Sequence, residues 1–135
     1  MSEVFADAFY YIALLNPDDR HHSDAVEATK NLRRRIVTSV WVLIEVADAF
    51  SSPRNRPLAL RFLDEIAIDP NVTIIADVEP WLSRGIALFR SRLDKSWSLT
   101  DCISFEVMKD RSVSDALTGD RHFAQAGFQA VMTAT

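Results

Sequence analysis

The chain has 135 residues, 48% of them apolar and 25% charged, and a formal net charge of -4. That length fills one domain, taken as residues 1–135, and leaves no room for a second core, and the composition is ordinary for a soluble globular protein. A single cysteine, Cys102, excludes an internal disulfide, and no Cys/His spacing resembles a zinc site.

The opening MSEVFADAF carries Glu3 and Asp7 where a secretory leader would be basic and then apolar, and the longest apolar run, residues 8–15, is too short to span a bilayer. The expected location is cytoplasmic and reducing, with no membrane contact. The acidic balance argues mildly against a nucleic-acid partner. Net charge averages over the surface, however. Arg33-Arg34-Arg35, Arg54 with Arg56, and Arg84, Arg90, Arg92 with Lys95 are local basic clusters, whose ordinary role is as solvated helix faces.

In chain order, a strand over residues 3–6 leads through Asp7 to a helix over 8–15, which Asn16-Pro17-Asp18-Asp19 interrupts. A helix over 23–35 precedes a strand over 36–39, and helices over 41–51 and 57–68 precede a strand over 72–76. Helices over 79–93 and 99–109, facing each other across a break at 94–98, lead to a strand over 113–118, and a short helix over 121–126 and a strand over 129–132 finish the chain. The strands are short and rich in Val, Ile or Phe, as buried parallel strands are. Their alternation with helices predicts a three-layer α/β/α sandwich around a central, mainly parallel sheet of about five strands. Ligands of such sheets sit beyond the carboxyl ends of the strands, where the strand order switches.

Four acids fall where this architecture brings the chain to one edge. Asp7 is the first polar residue after the first strand, and it also suits an N-cap for the helix at Ala8. Glu45 lies in VWVLIEVADAF, where apolar residues occupy nearly every side of the helix. It is therefore expected to emerge from a mostly buried segment and to need a cation, a proton or an arginine. Asp48, one turn later, is a weaker candidate. Asp101, in WSLTDCISF, follows Ser98 by three residues, the spacing of a capping box, and a first-turn carboxylate that caps can still project from the helix end. Asp120, in ALTGDRHF, follows the fourth strand; Gly119 is expected to permit a tight turn, and Asp120 to suit a cap for the short helix. Two like charges about 4 Å apart, at an effective dielectric near 20, repel by roughly 4 kcal/mol. Converging acids thus call for protons or a divalent cation, and magnesium or manganese suits an all-oxygen site.

Cys102, beside apolar Ile103 and without a histidine partner in sequence, reads as a buried inert thiol. His21, His22 and His122 could contact RNA or move protons, but read more simply as helix-start and surface residues. Trp41, Trp81 and Trp97 read as core instead of base-stacking platforms.

FADAFYYIALLNPDDRHH, TSVWVLIEVADAF, DKSWSLTDCISFEVM and ALTGDRHFAQAGF together span almost the whole chain. They resemble the PIN domain family and, more narrowly, its small bacterial members that include VapC-type toxins. The last two are the most specific, because they set two acids, their spacing and their apolar context together. The resemblance implies that Asp7, Glu45, Asp101 and Asp120 are metal-binding acids for Mg2+ or Mn2+, with Glu45 completing the site or orienting the nucleophilic water. It implies an endoribonuclease leaving 5′-phosphate and 3′-hydroxyl ends. Thr100 and Thr118 fall where the family often has hydroxyls that orient ligands or water, and Asp94 falls in a DK pair whose role is less defined. The implied partners are an RNA substrate, a cognate antitoxin whose tail covers the acidic pocket, and a second copy of the chain packed around Trp81, Leu88 and Phe89. One departure is Ala8, where many relatives carry Ser or Thr after the first acid; a missing hydroxyl there weakens metal binding or activity. The rival reading is a catalytically silent PIN-like interaction module. A phosphatase using Asp7 as nucleophile is disfavoured, because Asp7-Ala8-Phe9 lacks the second acid that haloacid-dehalogenase-like enzymes place two positions on.

Overall fold

A computed structural model describes residues 2–132, so the expected extent of 1–135 runs past it at both ends. Among the described residues, β1 (Glu3–Ala6) leads into α1 (Ala8–Leu15) and α2 (His22–Lys30), and β2 (Arg35–Ser39) into α3 (Val40–Ala49) and α4 (Arg56–Ile68). Then β3 (Val72–Ile75) leads into α5 (Trp81–Ser91) and α6 (Leu99–Asp110), and β4 (Asp115–Leu117) through α7 (Arg121–Gln125) into β5 (Gln129–Ala130). Every pairing is parallel, and the order across the sheet is β3-β2-β1-β4-β5. The expected α/β architecture with a central five-stranded sheet is what forms.

Successive strand residues point to opposite faces, and in β1, β2 and β4 they are buried one after another. Both faces of the central sheet are therefore covered, which is why these strands read as apolar runs without alternation. The chain winds outward from β1 through β2 to β3, then returns to the other side of β1 as β4. The crevice past the carboxyl ends of β1 and β4 is the switch point of the sheet.

Aromatic rings fill the core beside this seam. Phe105 meets Trp97 at 5.1 Å and Phe123 at 4.9 Å between centroids, both edge-on. Trp81 and Trp97 are buried, and Trp97 Nε1 donates to Gln125 Oε1 at 3.0 Å. Gly85 lets α5 close on α6, since a Cβ there would collide with the Ile103 side chain and lie 3.3 Å from its backbone.

The helix expected over residues 23–35 ends at Lys30. Long-range bonding takes the arginine run away from it: Arg34 Nη1 donates to Asp115 Oδ2 at 2.7 Å and Nη2 to Glu3 O at 3.1 Å, while Arg35 pairs with Glu3 in the sheet. In α3, Val42 and Val46 are buried, while Ile44 is 56% exposed and Glu45 lies on the open side. The expectation of a mostly buried segment around Glu45 is thus corrected: Val42 and Val46 pack inward, Trp41 and Leu43 are partly buried against the core, and Ile44 and Glu45 face outward.

Candidate functional site

Asp7 leaves β1 at the N-cap position of α1, and its N–H donates to Leu117 O at 3.2 Å, binding the ends of β1 and β4 together. The Asp7 side chain makes no cap bond. Its Oδ2 accepts from Thr118 Oγ1 at 2.8 Å instead. Thr118 is fully buried, and its hydroxyl oxygen also accepts the Asp120 N–H at 3.0 Å. Gly119, between them, is not among the positive-φ residues, so the turn does not demand glycine for its backbone. The reason is steric, because a Cβ at 119 would lie 2.5 Å from two carbons of the Phe9 ring.

Asp101 opens α6 in a capping box: Ser98 Oγ accepts the Asp101 N–H at 2.9 Å, and Asp101 Oδ2 accepts the Ser98 N–H at 3.1 Å. His122 Nδ1 lies 2.9 Å from that same Oδ2 and 3.5 Å from Asp120 Oδ1. Asp120 caps α7, its Oδ1 accepting the His122 N–H at 2.9 Å. The imidazole is thus hydrogen-bonded to Asp101 and stands beside Asp120. One ligand atom each from Asp101, Asp120 and His122 lie within 4.8 Å of one another. Sequence alone reads His122 as a helix-start or surface residue; the signal for a closer role is its place two residues after Asp120 in GDRH.

Burial pushes the Asp7 carboxyl up to about 7, the Thr118 bond opposes that rise, and the charges of Asp101 and Asp120 add to it. Partial desolvation also raises Glu45, with the Thr100 hydroxyl offsetting part of the rise and Asp101, Asp120 and Asp48 adding to it. Glu45 therefore belongs to the same electrostatic cluster, from its solvent side. Asp94 stands apart: Arg92 donates to both its oxygens at 3.0 Å and holds its carboxyl down to about 2, with Lys95 at 3.9 Å. The Cys102 thiol is buried, and burial pushes it up to about 11, far from a reactive thiolate.

Among the described residues, none of Asp7, Glu45, Asp101 and Asp120 forms an ion pair with Lys or Arg. A buried acid held against its own charge, beside two more acids and an imidazole, is a donor set that fits a hard divalent cation.

No family model matches the chain, and no curated protein matches it. Solved structures do. The crystal structure of Mycobacterium tuberculosis VapC20, a sarcin-ricin loop cleaving toxin, is similar to it with a TM-score of 0.88 and 21% sequence identity, covering 94% of this chain and 97% of that one. At that identity the likeness shows the fold.

Proposed function

We propose that the protein is a metal-dependent endoribonuclease of the PIN type, akin to the small VapC-like toxins. The observation that carries this reading is the gathering of Asp101, Asp120 and His122 within 4.8 Å of one another beside the buried carboxyl of Asp7, at the β1/β4 switch point and with no Lys or Arg paired to the acids. The fold likeness to a VapC toxin supports it.

Asp7, Asp101 and Asp120 would hold Mg2+ or Mn2+, with His122 alongside. When bound, such an ion supplies charge neutralisation at the scissile phosphate and a more acidic attacking water. Thr118 orients two of the acids at once, donating to Asp7 and accepting from the Asp120 backbone. Glu45, raised above an ordinary glutamate and facing solvent, is suited to take a proton from the attacking water, and Thr100 steadies it. Hydrolysis by water needs no covalent intermediate, in keeping with an inert Cys102.

The partners follow from the same reading: RNA as substrate, and an antitoxin protein that masks the acids in the cytoplasm. Among the described residues no helix is long and apolar enough to cross a membrane. A homodimer would use the outer face of α5, where Ile86 and Phe89 are 36% and 48% exposed, together with Leu93 just past its end, 90% exposed, whereas Trp81 turns inward.

Purified protein incubated with structured RNA and Mn2+ or Mg2+ should cleave it, and cleavage should vanish with EDTA and in Asp101→Asn. Cleavage that survives both changes overturns the mechanism. A silent interaction module, the rival that Ala8 suggests, would bind the ion and leave a broad RNA panel intact.

A further inference from the structure

Asp7 and Asp120 come from distant parts of the chain, on either side of the seam between β1 and β4. Two hydrogen bonds close that seam, Asp7 N–H to Leu117 O at 3.2 Å and Thr118 Oγ1 to Asp7 Oδ2 at 2.8 Å. A third contact is apolar. The Phe9 ring, two residues after Asp7, lies so close to Gly119 that a Cβ there would come within 2.5 Å of two ring carbons and 3.3 Å of a third. Cβ atoms do not approach other carbons that closely, so a methyl group at 119 must move the ring, the turn or both. The φ of Gly119 is not positive, so the ring, and not the backbone, reserves this position for glycine.

Phe9 is itself held in place. The His21 ring packs on it with centroids 4.9 Å apart. His21 in turn is held by its N–H, which donates to Asp19 Oδ1 at 2.8 Å, and by Asp24, whose Oδ2 lies 3.7 Å from its Nδ1. A continuous packed path thus runs from the loop before α2, through Phe9, to the turn that presents Asp120.

We infer that Phe9 is a positioning residue for the acidic cluster: its ring, seated on Gly119, sets the turn at residues 118–120 and hence where the Asp120 carboxylate stands relative to Asp7 and Asp101. The inference rests on the cluster being a cation site, and extends the machinery of that site to a side chain with no polar atom. Two bonds report the turn directly, Asp120 N–H to Thr118 Oγ1 at 3.0 Å and His122 N–H to Asp120 Oδ1 at 2.9 Å.

The test compares wild type, Gly119→Ala, Phe9→Leu and the double variant by Mn2+ affinity in calorimetry, by amide hydrogen exchange at Asp120 and His122, and by melting temperature. Gly119→Ala should weaken Mn2+ binding about tenfold, as displaced supporting groups do at metal sites, and should speed exchange at both amides. Leucine lacks the two ring carbons that the new methyl would strike. The double variant should therefore recover most of the affinity and protection while melting no higher than either single variant. A purely structural role would make affinity track melting temperature instead. Wild-type values in Gly119→Ala, or a double variant no better than Gly119→Ala, overturn the inference. Exchange needs no metal, so rescue of protection in a protein that binds no Mn2+ would uphold the brace and reject the cation site it is proposed to serve.

Discussion

At the amino ends of its strands the sheet carries Glu3 and Asp115, and just past the carboxyl ends it carries Asp7 and Asp120. Glu3 accepts two bonds from Arg111, at 3.1 and 2.8 Å, and Asp115 accepts one from Arg34 at 2.7 Å. The Arg111 guanidinium holds the Glu3 carboxyl below its usual range. Asp7, one strand length away, is pushed up to about 7 by burial and by its acidic neighbours. The same residue types on the same sheet are neutralised within the chain at one end and left to repel at the other. A fold that pairs acids with arginine at one edge and not at the other is the contrast on which the proposed cation site rests.

The largest effect that would break this contrast is on activity. Asp101→Asn should lower RNA cleavage on the order of 10³-fold in a gel assay at saturating Mn2+. Undiminished cleavage would mean that the acidic edge does no chemistry.

Stability should respond next. Asp7 ordinarily titrates at 3.8 and here at about 7, so the folded state holds the proton more tightly. That contribution is fully present below about pH 4 and is lost as pH rises through about 7, on the order of 2–4 kcal/mol in the metal-free protein. Denaturant titrations across this window should show the decline, Asp7→Asn should abolish it, and saturating Mn2+ should flatten it. Glu3 acts with the opposite sign, stabilising above its ordinary 4.5 and ceasing to do so as pH falls through its lowered value.

Glu45→Gln should reduce cleavage by about 10- to 100-fold with an unchanged melting temperature, because the side chain acts from the solvent side of the cluster. At the amino end the expected effects are smaller and leave cleavage alone. Glu3→Gln should destabilise by roughly 0.5–1 kcal/mol, since its ion pair is partly exposed. Ser112 closes α6 in a left-handed conformation, φ 56°, with Val113 N–H donating to Met108 O at 2.9 Å and its own N–H to Lys109 O at 3.2 Å. Glycine is the residue that such a helix end favours, as at Gly127 after α7. Ser112→Gly should therefore stabilise by about 0.5 kcal/mol in chemical denaturation.

The order of strands and helices was legible because it rests on local periodicity, and the electrostatic coupling of Asp7 to Asp101 and Asp120 at one sheet edge follows from that order. Each of the three ends a strand or opens a helix. What escaped depends on partners far away in sequence. Arg34 leaves its expected helix for Asp115, which no local pattern announces. Glu45 sits among apolar residues yet faces solvent, because it lies with Ile44 on the side of α3 turned away from the core. Gly119 reads as a turn glycine in sequence and is a packing glycine in the fold, its neighbour Phe9 being fixed only by the fold. His122 meets Asp101 through its ring and Asp120 through its backbone N–H, two contacts that span α6 and α7.

The caps themselves have a practical consequence. Among the described residues, the hydrogen bonds to the Asp101 side chain all fall on Oδ2, and that to Asp120 falls on Oδ1. A carboxamide can offer its single carbonyl oxygen to the same donors, leaving its NH2 where the second carboxylate oxygen was. Asp101→Asn and Asp120→Asn should therefore keep their helix starts and their shape while losing charge and a lone pair. Either variant would serve as a capture reagent, able to hold its target without consuming it and to carry it out of a mixture for identification.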